Sequence, residues 1–206
     1  MSFQALSNTL KQGIAALGED PEAHPCDRYL WFLEELAKWS KVYNLTAITA
    51  PKLMLTHHLL DSLSILPFIH GNRCLDVGTG AGLPGMVLAL ARPDTHWTLL
   101  DSQTKKIRFL QHISLEIKSA NIEIVHSRVE DYQPEQAFTT IVTRALTRLA
   151  NFRRITAHLQ GKDGYLLAMK GGYPDKELAE ISTAGASVHE LDVPGLDADR
   201  HLVIIR

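Results

Sequence analysis

The stretch that most restricts this chain is RCLDVGTGAGLPG, residues 73–85. Leu75 and Val77 give it strand character, and the glycines at 78, 80 and 82 then allow turns and close approaches that side chains would block. Pro84 suits a first helical turn, where a missing N–H costs nothing. Met86 to Ala91 continues as an apolar helix. A strand passing through a glycine turn into a helix is the core of a nucleotide-binding α/β unit.

Two cofactor classes use such a turn. Gly80-Ala81-Gly82-Leu83-Pro84-Gly85 is literally G-x-G-x-x-G, the dinucleotide pattern, which supports a NAD-dependent oxidoreductase. That pattern should leave the strand directly, whereas Gly78-Thr79 intervene here. In register with the strand the motif is Asp76-x-Gly78-x-Gly80-x-Gly82. A carboxylate at Asp76 would repel a pyrophosphate but suits the ammonium of S-adenosylmethionine, which carries no phosphate. Asp101, 21 residues after Gly80, ends a second strand, Trp97 to Asp101. An acidic residue about 20 positions past the turn commonly holds ribose hydroxyls, and both cofactors contain that ribose.

At 206 residues the chain reads as one compact unit: a helical extension over residues 1–70 packed on an α/β core at 71–206. A hydrophobic share of 45% is enough for an ordinary core, and the net charge of −2 confines any nucleic-acid surface to a local patch. The start lacks the basic and apolar regions of a signal peptide, and no apolar run reaches about 18 residues. A cytoplasmic protein without membrane contact is expected, with a monomer as the working assumption. Cys26 and Cys74 are too few for a disulfide framework, and Cys74 reads as a core residue.

Apolar spacing predicts a first helix through Phe3, Leu6, Leu10, Ile14 and Leu17. A second runs from about Cys26 to Tyr43, and a third from Pro51 to about Phe68. His57, His58 and Asp61 in the third could be read as metal ligands, but surface or capping roles are favoured and no metal is assigned. After Asp101, Ser102 is expected to cap a helix whose first turns carry Lys105 and Lys106, against the helix dipole. Strands follow at Ile122 to Val125, Thr140 to Ala145 and Tyr165 to Lys170. Glu130, just past the third strand, could accept from an adenine amino group, although taken alone an N-cap or solvent-facing role is favoured. Arg144 and Lys170 end the fourth and fifth strands, at the edge where open α/β sheets bind ligands. Two cations beside a sulfonium are unfavourable unless an anion arrives, and a phosphate backbone would be one. Ser187 to Val193 and His201 to Ile205 form a closing hairpin, which favours a methyltransferase sheet over a dehydrogenase sheet.

The absent motifs narrow the acceptor. No Asn/Asp-Pro-Pro-aromatic follows the fourth strand, and no cysteine nucleophile follows Cys74. A ring nitrogen with a free lone pair, such as guanine N7, needs neither. In-line orientation alone can contribute on the order of 7–11 kcal/mol. A non-enzymatic RNA-binding module is the third reading, although the strands lack the aromatics that stack bases.

Asn44-Leu45-Thr46, His58 to Ser62, Asp76 to Gly85, Leu100-Asp101-Ser102 with Lys105-Lys106, Ser127 to Glu130, Arg144-Ala145 and Lys170-Gly171 stand in one order along the chain. In that order the chain resembles the RsmG (GidB) family, bacterial 16S ribosomal RNA guanine-527 N7-methyltransferases. The resemblance implies a Rossmann-like S-adenosylmethionine-dependent fold with a mostly parallel seven-stranded sheet, an antiparallel last strand and N-terminal helices. It implies cofactor contacts from Gly78, Leu83, Val129, Glu130 and Arg144, joining Asp76, Gly80 and Asp101. Arg144, Lys170 and Arg128 would serve methyl transfer, and Lys105, Lys106, Arg128 and Lys170 would face RNA of the small ribosomal subunit. Two departures from the family pattern are Thr143, where Ser is common, and Leu146-Thr147-Arg148, which leaves the role of Arg148 open.

Overall fold

A computed structural model describes residues 2–181 and 185–206. A short 3₁₀ turn leads into α1 (Ser7–Ala16), whose Leu10 and Ile14 are buried together with Phe3 and Leu6 ahead of it. The helix α2 (Cys26–Tyr43) buries Tyr29, Leu30, Phe32, Leu33 and Leu36, the stripe expected of a 3.6-residue period. It ends at Asn44, whose N–H closes on Ser40 O and whose left-handed φ of 49° then turns the chain out of the helix. The third helix is not uniform. It begins as α3 (Pro51–Met54), widens into a π-helical stretch (Leu55–Leu60) and finishes as α4 (Asp61–Leu63). Such widened turns often mark functional sites.

From there the chain alternates through β1 (Arg73–Val77), α5 (Gly85–Ala91), β2 (His96–Asp101), α6 (Thr104–Ile117) and β3 (Ile122–His126). It continues with β4 (Phe138–Arg144), α7 (Leu149–Thr156), β5 (Gln160–Lys170), α8 (Asp175–Leu178), β6 (Ala186–Glu190) and β7 (His201–Ile205). The seven strands lie in the order β3-β2-β1-β4-β5-β7-β6, with β7 antiparallel to both its neighbours. The mixed sheet expected from the closing hairpin is therefore present. The order reverses between β1 and β4, so the ligand crevice should open there, beyond the carboxyl ends of the strands. Thr143, the departure from Ser, donates its hydroxyl to Val77 O at 3.1 Å and fastens those two ends together.

Side-chain alternation divides the core between the two faces of the sheet. Leu75, Val77, Ile141, Leu166 and Val203 point toward α7 and its Leu149 and Phe152. Cys74, Val142, Leu167 and Leu202 point the other way, into a core shared by α5, α6 and the N-terminal helices. Burial pushes the Cys74 thiol up to about 12, so it stays protonated.

Two local expectations are corrected. Ser102 does not cap α6. The helix starts at Thr104, and Asp101 Oδ1 accepts the Gln103 N–H at 2.8 Å, an Asx turn that leaves Ser102 outside. Pro84 stands just before α5 rather than within its first turn.

Gly85 opens α5 directly over β1. A Cβ there would lie 2.4 Å from Leu99 Cδ2 and 2.7 Å from Asp76 Cβ. Gly85→Ala should cost about 1–3 kcal/mol by overpacking. Urea unfolding should show a lower midpoint at unchanged slope; a midpoint equal to wild type would mean that this layer has slack.

Candidate active site

The glycine turn is held by backbone and carboxylate together. Gly78 and Thr79 donate their N–H groups to Leu100 O at 2.9 and 3.1 Å, tying the turn to the end of β2. Asp76 Oδ2 accepts from Thr79 Oγ1 at 2.7 Å and from the Gly85 N–H at 2.8 Å. Asp101 Oδ2 accepts the Gly80 N–H at 2.9 Å. Gly80 itself has φ +61°, a conformation that L side chains rarely adopt.

A cavity of about 630 Å³ opens above this turn, within the size range of cofactor sites. Gly78, Gly80, Leu83, Asp101, Val129 and Glu130 lie on its wall, as do Lys106, Arg128 and Arg144. The structure thus brings together most of the residues expected at the cofactor site. Val129 is buried and Glu130 exposed at the start of a short 3₁₀ turn after β3. Both Asp101 oxygens hold protein N–H groups, but each retains a lone pair for a further donor.

Three expected residues sit elsewhere. Asp76 is fully buried beneath the turn and off the cavity wall, so its position does not suit a contact with an ammonium group. Lys105 is exposed outside the cavity and donates to Tyr43 O at 3.0 Å. Lys170 donates to Glu177 Oε2 at 2.7 Å and to Thr147 O at 3.2 Å, and it lines a second, adjoining cavity. Burial alone would raise the Glu177 carboxyl, but the Lys170 bond and the Leu149 N–H hold it below its ordinary value. Arg148, whose role was open, pairs with Glu180.

The N-terminal helices supply what sequence reasoning missed. Asn44 turns the chain so that Leu45 and Thr46 form part of the first cavity wall. Thr46 Oγ1 shares a 2.9 Å hydrogen bond with His58 Nε2, and His58 borders both cavities. Asp61 is neither a surface nor a capping residue. It is 2% exposed and binds Arg144 Nη1 at 3.0 Å and Arg200 Nε at 2.9 Å. Arg144 Nη1 also donates to His57 O at 3.0 Å. Only the grouping of His58 to Ser62 hinted at this in the sequence; Arg200 gave no signal.

Burial pushes the Asp76 carboxyl up to about 6, against the pull of its Thr79 and Gly85 bonds. Burial pulls the His58 imidazole down to about 4, helped by the Arg144 charge. The two have opposite linkage. Asp76, raised in the folded state, gives stability present below its unfolded value of about 3.9 and lost as pH rises toward 6. His58, depressed, gives stability present above about 6.5 and lost as pH falls toward 4. Between pH 4 and 6, Asp76→Asn should therefore make stability climb more steeply with pH, and His58→Gln should make it fall. Urea unfolding across that range checks both; parallel curves for all three proteins would contradict the assignments.

The rRNA small subunit methyltransferase G family matches residues 26–203. A protein of that name from Methylobacillus flagellatus is 46% identical over 200 residues, covering 97% of this chain and 98% of its own. Another from Coxiella burnetii is 48% identical over 201 residues, covering 98% of each. Among solved structures, a SAM-dependent methyltransferase from Aquifex aeolicus superposes with a TM-score of 0.59 at 19% identity, over 82% of this chain and 98% of its own, a likeness of fold. With its glycine turn, its strand-end cavity and its antiparallel β7, this chain belongs to the rRNA small subunit methyltransferase G family.

Proposed function

We propose that the protein transfers a methyl group to N7 of guanine 527, in the 530 loop of 16S ribosomal RNA, by direct in-line attack without a covalent enzyme intermediate. The cofactor is S-adenosyl-L-methionine, which supplies an electrophilic methyl on a sulfonium. The observation that carries the reading is the meeting of a cavity fit for a nucleoside with Arg144, at the switch between β1 and β4.

The residues present fit this cofactor. Asp101 offers carboxylate lone pairs to ribose hydroxyls, and Glu130 offers them to the adenine amino group. Leu83, Val129 and Ile155 give the purine apolar walls. Gly78 and Gly80 bring backbone close to the ligand, where a Cβ on Gly78 would stand 2.6 Å from Leu146 Cδ1. Asp76 acts from beneath by fixing the turn. Arg144 borders both cavities and orients the acceptor, while Lys106 and Arg128 on the rim, with Lys105 outside it, meet RNA phosphates. Lys170 joins them once RNA competes with Glu177. A ring nitrogen needs no general base, and none of these side chains is asked to remove a proton. The RNA substrate places the reaction in the cytoplasm, with the protein acting as a monomer.

Labelled methyl transfer into small subunits from cells lacking this protein tests the reading. A single N7-methylguanine-specific cleavage in the 530 loop is expected; label mapped elsewhere would discard the acceptor. Glu130→Ala should weaken cofactor binding roughly tenfold or more, the scale of one hydrogen bond to a charged group. Arg144→Ala should lower methylation far more than cofactor affinity. Calorimetry beside the transfer assay separates the two, and an unchanged affinity or a fully active Arg144 variant would remove that residue from its role.

A further inference from the structure

The second cavity, about 310 Å³, lies beside the first at the ends of β4 and β5 and shares His58, Arg144 and Ala145 with it. Arg144, Lys170 and Arg200 line it. Glu177 answers Lys170, but among the described residues one carboxylate, Asp61, answers both guanidiniums. These five side chains therefore keep one net positive charge. Arg200 has committed its Nε to Asp61 and its Nη1 to Asp199 O; among the described residues its Nη2 has no partner. Since Asp61 fixes Arg144 and Arg200 from one buried carboxylate, their remaining donors are held in place before any ligand arrives. Planar guanidinium forks held this way suit a phosphate.

The chemistry of the proposed reaction asks for an anion at this point. The guanine N7 lone pair forms the new N–C bond while the C–S bond breaks and its electrons stay on sulfur. No proton leaves, so the positive charge passes from the sulfonium to the purine. A net-positive patch beside that path opposes the charge in both states unless an anion covers it. Resting on the methyl-transfer reading, we propose that the second cavity is a phosphate subsite in which Arg200 and Arg144, bridged by Asp61, hold a backbone phosphodiester of the acceptor RNA beside the methyl-transfer point. Arg200 is the residue that this assigns anew.

Each phosphate contact contributes about 0.7–0.9 to the slope of log affinity against log salt. Binding of deproteinised, unmodified small-subunit RNA is therefore measured over a range of salt for wild type, Arg200→Ala and Arg200→Lys, with cofactor affinity by calorimetry. Arg200→Ala should lower the slope by about 0.7–0.9, weaken RNA binding about tenfold at low salt and leave cofactor affinity within about twofold. Arg200→Lys should restore the slope. Weaker binding at an unchanged slope would mean a contact to something other than phosphate. Unchanged RNA binding, or loss of cofactor affinity in both variants, would equally overturn the subsite. A flat slope in wild type would instead remove the RNA reading, so the two failures are distinguishable.

Discussion

Two strand-end carboxylates carry the architecture of this site. Asp76 gathers the Thr79 hydroxyl and the Gly85 N–H, and Asp101 gathers the N–H groups of Gly80 and Gln103. Between them they fix the exit of β1, the whole glycine turn and the starts of two helices. The cost is visible in Asp76, which is fully buried with its Oδ1 unpartnered among the described residues. A buried carboxylate that pins backbone donors sets the turn's shape before the cofactor binds, and catalysis by orientation requires that kind of preorganisation.

A third carboxylate performs the same service at the second cavity. Asp61 comes from the N-terminal helical region, Arg144 from the end of β4 and Arg200 from the approach to β7. Buried charges are tolerated only when paired, and removing one partner of such a group typically costs about 3–5 kcal/mol. The N-terminal helices thus line the two cavities as well as the core. They bring Thr46 and His58 to the first cavity and Asp61 to the second. The π-helical stretch immediately precedes Asp61 and contains His58, so the irregular turn lies where both residues leave the helix for the site.

Legibility followed sequence separation. The strand, turn and helix around residues 73–85 could be read because their signals are local, and α2 runs over Cys26–Tyr43 as its apolar period implied. The antiparallel β7 could be anticipated from the closing hairpin. Asp61 was misplaced because its partners lie 83 and 139 residues away, where no periodicity connects them. Lys170 could be assigned to a strand end but not to Glu177, whose helix carries no signal of where it folds back. Asp76 was assigned to the ligand on charge alone. Strand alternation, which turns Leu75 and Val77 to one face, could have placed it on the opposite face beneath α5.

The cofactor cavity takes its shape from Asp76, which pins the glycine turn without lining the cavity itself. The most direct measurement is calorimetric S-adenosylmethionine affinity in Thr79→Val and Asp76→Asn, each shown by circular dichroism to be folded. Both substitutions alter the carboxylate's hold on the turn and add nothing to the cavity wall's charge. A loss of about tenfold or more in each is the predicted result, the scale of one charge-assisted hydrogen bond. Wild-type affinity in both would contradict it and show that the glycine turn keeps its shape without the buried carboxylate.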